Sequence, residues 1–222
     1  MILARNQLLQ TNPNDSEKRA KAIFLIQEAA QQIQSITKSV RDLYGLEYGK
    51  RKLPVREISV LESLSNAISA IIDKAEAKKV AINLEQFNDM KVLVEPTALS
   101  FEIVTNILSN AIKFSDPGSQ IRIRVLPKPD DPRWVTIHIR DYGIGIPDSI
   151  LNEIYNLGSP TSRTGTSGES GTGFGMPIVK NYIEAMGGKI RINSTTIDAN
   201  PIDHGTEMIL HLRRASENPH PS

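Results

Sequence analysis

Apolar residues recur along the first fifty positions with the spacing of a helical seam. Ala22, Ile26, Ala29, Ile33, Ile36, Val40 and Leu43 follow one another at alternating intervals of four and three, a heptad pattern held for about three heptads. That alternation predicts a long helix packed nearly parallel to its neighbours in a bundle. Thr11-Asn12-Pro13-Asn14-Asp15-Ser16 predicts the turn before it, because Pro13 disfavours helix in the preceding residue and Asp15 or Ser16 can cap free backbone N–H groups. Upstream, Ile2, Leu3, Leu8 and Leu9 suffice for the last turns of a partner helix. Residues 1–53 are therefore expected to form a helical hairpin remnant whose first helix is incomplete, ending in the extended connector Lys52-Leu53-Pro54-Val55.

Beyond the connector the periodicity alternates between helix and strand. Helices are predicted from about Val60 to Lys79 and Thr97 to Phe114, with a further one ending near Met186. Strands are predicted at Val80–Leu84, Lys91–Val94, Gln120–Val125, Trp134–Arg140, Ile190–Asn193 and Thr206–Leu212. This order implies a mixed α/β layer domain over residues 54–214. The polar, proline-containing residues 215–222 are expected to be a disordered tail.

Composition narrows the function only by exclusion. A net charge of +1 gives no general electrostatic reason to bind nucleic acid or a membrane, so no nucleic-acid partner is expected. The chain has no cysteine, which removes disulfide frameworks and thiolate metal sites and fits a reducing compartment, so a cytoplasmic location is expected. No apolar run approaches the roughly 20 residues that span a bilayer, so any membrane anchor is expected in segments outside this chain.

Three patterns carry candidate chemistry. On the helix through Phe114, at about 100° per residue, Asn106, Asn110 and Lys113 fall within an arc of roughly 60°, opposite Val104, Leu108, Ala111 and Ile112. Amide oxygens can coordinate a hard cation such as Mg²⁺, and a lysine can neutralise a phosphate; a solvated polar face has the same pattern. Asp141-Tyr142-Gly143-Ile144-Gly145 directly follows a predicted strand, where a carboxylate can accept the exocyclic amine of adenine, although a tight turn also suits it. Gly171-Thr172-Gly173-Phe174-Gly175 opens a helix with uncrowded backbone N–H groups, a place for phosphates. Pro177 fits there only in the first turn. This cluster is neither a dinucleotide fingerprint nor a P-loop, since no βαβ strand immediately precedes it and no Gly-Lys-Ser/Thr ending follows.

In this order the three motifs resemble the GHKL ATPase superfamily, and within it the histidine kinase catalytic domain. Thr105 to Phe114 is similar to the asparagine box, Asp141 to Gly145 to the first glycine box and Gly171 to Gly175 to the second; His204-Gly205-Thr206 resembles the final Gly-Thr element. The resemblance covers about residues 55–214 and implies a two-layer α/β sandwich, the Bergerat ATP-binding fold. It further implies ATP and Mg²⁺ as cofactors, bound between the asparagine helix and a lid over Pro147 to Gly171. Carried over residue by residue, Asn110 is expected to bind Mg²⁺, and Asn106 and Lys113 to handle phosphates as the catalytic pair. Asp141, with Gly143, Gly145 and Thr206, is expected to hold the base, and Gly171, Thr172, Gly173, Phe174 and Gly175 to line the nucleotide. Ile154-Tyr155 stands where the family has an aromatic box, but the match is poor and no role is assigned. The hairpin looks like half of a dimerisation and phosphotransfer domain, so a homodimer and a response regulator receiver domain are the implied partners.

Related hydrolytic ATPases of the superfamily place a glutamate four residues before the magnesium asparagine, as general base for water. This chain has Asn106 there, and a carboxamide takes up no proton near neutral pH, so the resemblance favours a two-component sensor histidine kinase over a hydrolase. A non-catalytic ATP-binding regulatory module and an anti-sigma-factor-type serine kinase are the alternatives. His138, His204, His211 and His220 all lie outside the helical hairpin, so the phosphate-accepting histidine is expected upstream of Met1.

Overall fold

A computed structural model describes residues 53–85, 89–156, 161–169 and 171–215, with scattered positions between 20 and 45. The chain divides into two units, Met1–Tyr44 and Gly45–Ser222. In the first, the described residues are helical. Of the seam, Ala22 is buried and Ile33 is exposed, while Ala29, Ile36, Val40 and Leu43 lie outside the described residues, as do residues 1–16 with their partner helix and cap.

The second unit is built on a five-stranded sheet. Strands β1 (Arg56–Ser59) and β3 (Lys91–Val94) pair as a small antiparallel ribbon with Ile58 opposite Val92. The main sheet has the order β2-β4-β5-β7-β6, from β2 (Ala81–Leu84), β4 (Gln120–Pro127), β5 (Trp134–Asp141), β6 (Lys189–Thr195) and β7 (Gly205–Arg213). Among the described residues of this sheet only the β2–β4 pair is parallel. Alternation decides the faces: Ile121, Ile123 and Val125 of β4 are buried, whereas Arg122 and Arg124 between them are exposed.

Helices α1 (Val60–Lys78), α2 (Thr105–Phe114) and α4 (Gly175–Ala185) bury one face each. In α1 the buried positions Val60, Leu64, Ala67, Ile71, Ala75 and Lys78 are three or four apart. Its start is fixed by Ser59, whose hydroxyl accepts from the Glu62 N–H, and its end by Lys79 in the left-handed region at φ 59°. Leu108 and Ile112 of α2 and Val179 and Ile183 of α4 join Ile137, Ile139 and Leu210 of the sheet in the core. The expected two-layer α/β sandwich is the one found. A short helix, α3 (Asp148–Leu151), follows β5.

Besides β1 and α3, which the sequence reading did not include, two local features depart from it. The helix expected without interruption from Thr97 to Phe114 begins as a π-helical stretch, Ala98–Val104. The wider turn closes where the Thr105 N–H and hydroxyl both reach the Ser100 carbonyl, five residues back. It buries Ile103 and Val104 together with Ile107 and Leu108, keeping the asparagines off the core side. Ala215, assigned to the tail, is instead buried, with its N–H donating to the Lys91 carbonyl at 2.9 Å. Residues 216–222 lie outside the described residues.

Candidate functional site

The asparagine face of α2 meets the glycine loop that opens α4. A Cβ at Gly175 would stand 3.2 Å from Asn106 Oδ1 and 3.8 Å from Asn110 Nδ2, so glycine lets the helix start approach both carboxamides. Asn106 Nδ2 donates to the Glu102 carbonyl at 2.6 Å, one turn back along its own helix. Gly173 adopts φ +77°, and the Phe174 N–H donates to Thr172 Oγ1, which shapes the loop. Pro177 is the third residue of α4, in the first turn as expected.

Lys113, one turn further along α2, is the centre of a cationic cluster. Its Nζ donates to the Arg163 carbonyl at 2.6 Å and lies 4.8 Å from the centroid of Phe114, whose ring also carries the Arg163 guanidinium at 4.9 Å. A Cβ on Gly171 would come within 2.6 Å of the same nitrogen, which places the second glycine loop beside the lysine. Burial pushes the Lys113 ammonium below its usual value; Glu169 opposes this, and the nearby Arg163 and Lys78 add to it. Three cations facing one carboxylate leave this end of the site with a surplus of positive charge.

Asp141, the last residue of β5, sits at the other end. It is buried, and its Oδ1 accepts from the Gly143 and Thr206 N–H groups, both at 3.0 Å. Burial pushes the carboxyl up to about 6, against the pull of those two hydrogen bonds and of Arg140 and His204. Glycines are required by close backbone approach: a Cβ at Gly143 would lie 2.3 Å from the Phe114 carbonyl oxygen, and one at Gly205 2.2 Å from that of Asp141. The Ile144 N–H donates to the same Phe114 carbonyl at 3.1 Å, so the end of α2 is tied directly to the Asp141 loop.

Further residues outside the three sequence motifs hold this end together. Ser194 of β6 accepts from the Ile146 N–H at 2.8 Å and donates to the Gly205 carbonyl at 3.0 Å, with the Thr206 hydroxyl 2.9 Å away. His204 Nδ1 stands 2.6 Å from the Gly143 carbonyl, an acceptor only, so that nitrogen carries the proton. Nothing in the sequence around Ser194 signals this role, because β6 reaches the loop only through its pairing with β7. Tyr155, left without a role, packs its ring under Lys180 at 5.2 Å.

The arrangement offers a buried carboxylate acceptor at one end and a cationic, amide-lined end at the other. It suits a ligand that joins an amine-bearing heterocycle to several negative charges.

Residues 95–216 match the family of histidine kinase-, DNA gyrase B- and HSP90-like ATPases. The chain belongs to this ATPase family. The circadian input-output histidine kinase CikA of Synechococcus elongatus is 27% identical over 183 residues, 81% of this chain and 24% of that protein. Sensor histidine kinase GacS of Pseudomonas protegens is 28% identical over 197 residues, 87% of this chain and 21% of that protein. The chain thus spans about a quarter or less of the length of these relatives. Among solved structures, histidine kinase ThkA in complex with response regulator protein TrrA superposes with a TM-score of 0.73 at 20% identity, over 96% of this chain and 57% of that one. At that identity the likeness establishes the fold.

Metal chemistry has a narrow opening here. Among the described residues no group of three or more His, Cys, Asp or Glu could hold an ion. A site built from the Asn110 carboxamide fits Mg²⁺, which retains waters and phosphate oxygens as its other ligands. No helix among the described residues is long and apolar enough to cross a membrane.

Proposed function

We propose that this chain binds Mg·ATP with adenine at Asp141 and the phosphates at Lys113, and that it is the kinase core that hands the γ-phosphate to a histidine. The observation that supports this reading best is the Phe114 carbonyl contact. It joins the carboxylate end and the cationic end into one site. Asp141 accepts the exocyclic amine, with Thr206 and Ser194 supporting the base. The amides Asn106 and Asn110 and the Gly171–Gly175 loop face the phosphates.

Asn110 is the residue that holds Mg²⁺, which neutralises phosphate charge when bound. Transfer then consists of attack by an imidazole lone pair on the γ-phosphorus while the bond to the bridging oxygen breaks and ADP leaves with the electron pair. The protein positions and neutralises; with Asn106 in place of a glutamate it offers water no general base at that position. His138, His204 and His211 are not acceptors on this reading. His138 contacts Glu207 in the sheet, His204 holds the Gly143 carbonyl, and His211 lies within strand β7. The acceptor belongs to a helical phosphotransfer segment, and the phosphate passes on to a response regulator receiver domain. The heptad helix supports a homodimer in the cytoplasm.

Calorimetry of the chain with ATP, with and without Mg²⁺, and of Asn110→Ala tests the site. Magnesium-dependent binding that Asn110→Ala reduces to the metal-free level is the expected result, with adenosine affinity unchanged. Transfer of ³²P to a supplied histidine-containing hairpin then tests the kinase. Tight ATP binding without transfer to any such hairpin would leave a non-catalytic nucleotide module as the better reading.

A further inference from the structure

Lys78 is a lysine at the end of α1 that the nucleotide motifs do not include. Its side chain is 7% exposed, and its Nζ makes two hydrogen bonds: to the Lys113 carbonyl at 2.7 Å and to Glu169 Oε1 at 2.5 Å. A buried ammonium is costly unless it is paired and hydrogen-bonded, so both partners are held as firmly as the lysine itself. One partner is the backbone of the phosphate-binding lysine. The other is a side chain of the 161–169 segment that crosses the cationic end of the site.

Among the described residues that segment is also anchored on the domain by hydrogen bonds. The Thr166 N–H donates to the Lys113 carbonyl and its hydroxyl to the Ser115 carbonyl, at 3.1 and 2.7 Å. Arg163 donates to the Gly145 carbonyl at 2.9 Å, and Lys113 Nζ donates to the Arg163 carbonyl. Within the segment, Glu169 also orders the turn: its Oε2 accepts from the Ser167 N–H and its carbonyl from the Gly165 N–H, both at 2.9 Å. When Lys113 turns its ammonium to a phosphate, the Lys113–Arg163 bond is given up. The Lys78–Glu169 pair involves no group that the nucleotide recruits and remains, together with the Arg163 bond to the Gly145 carbonyl.

We propose that Lys78 and Glu169 are positioning residues, an ion pair that holds the 161–169 segment against the phosphate end of the site while Lys113 engages ATP. Neither touches the nucleotide; they act through Lys113 and Arg163. This rests on the ATP-site reading above. Burial alone would raise the Glu169 carboxyl, but the Lys78 ammonium and the Ser167 N–H outweigh it and hold it below the usual range, in keeping with a formed pair.

The test compares the full chain with Glu169→Gln, Glu169→Asp and Lys78→Met. Calorimetry with Mg·ATP and with adenosine is paired with the rate of tryptic cleavage after Arg163 in the absence of nucleotide. Glu169 is only partly buried, so Glu169→Gln keeps the question open should Lys78→Met fail to fold. The expected result is ATP binding weakened about tenfold in Glu169→Gln, the scale of one charge-assisted hydrogen bond, with adenosine affinity unchanged. Cleavage after Arg163 is faster, and Glu169→Asp lies closer to the parent. Unchanged ATP affinity in Glu169→Gln overturns the proposal, as does an equal loss for ATP and adenosine, which marks a merely structural role. A parent chain that binds no ATP refutes the site reading instead. Tryptic cleavage still decides the anchor in that case: an unaltered rate in Glu169→Gln overturns it.

Discussion

Asp141→Asn should strengthen the fold at neutral pH and weaken nucleotide binding. In the folded chain the Asp141 carboxyl is pushed from 3.8 to about 6, chiefly by burial, so ionising it in place costs about 3 kcal/mol at pH 8. The sign follows from proton uptake. Between the two values the folded state holds a proton that the unfolded state has released. The stabilising contribution is therefore present at low pH and lost as pH rises through about 6. A carboxamide carries no such penalty and keeps an oxygen to accept from Gly143 and Thr206. Its new NH₂ group needs an acceptor, and leaving it unpaired costs about 1–3 kcal/mol. The variant is thus expected to be about 1 kcal/mol more stable than the parent at pH 8. That advantage falls by about 3 kcal/mol towards pH 4, where the parent is protonated. Adenine would then face a donor where it needs an acceptor, which weakens ATP on the order of a hundredfold. Urea unfolding of both proteins at pH 4, 6 and 8, with ATP titrations at pH 8, measures both effects. A stability difference that does not change with pH, or ATP affinity equal to the parent's, refutes the reasoning.

Gly143→Ala places a methyl 2.3 Å from the Phe114 carbonyl oxygen, so the Asp141 loop must move away from α2. A loss of about 2 kcal/mol by urea unfolding and of ATP binding by calorimetry is expected. Ile137→Ala, in the middle of β5 and fully buried, removes core packing away from the ligand. It should cost about 3 kcal/mol in the same unfolding assay while ATP affinity stays within about twofold under native conditions.

Much of this domain is written locally. Period-two alternation in Gln120–Val125 and Trp134–Arg140 marks β4 and β5, and the spacing of Asn106, Asn110 and Lys113 puts them on one helix face before any fold is known. The Asp141 and Gly171 motifs are equally visible as residue patterns, although what crowds their glycines, Phe114 against Gly143 and Asn106 against Gly175, lies far away along the chain. β1 escaped notice, since Arg56-Glu57-Ile58-Ser59 has one apolar residue and becomes a strand only by pairing with β3. The π-helical turn escaped for a related reason: it sets the packing phase of a helix on a sheet, which no local propensity encodes. Residue order alone carries most of the elements and the chemical groups available to a nucleotide. Which of those groups are buried, and what they meet, comes from long-range packing. Asp141 becomes a carboxyl near 6 because folding buries it, against the pull of the Thr206 N–H from 65 residues away, and Lys78 meets Glu169 across 91 residues of chain. Desolvation and long-range pairing depend on the surroundings that folding assembles, not on neighbours along the chain.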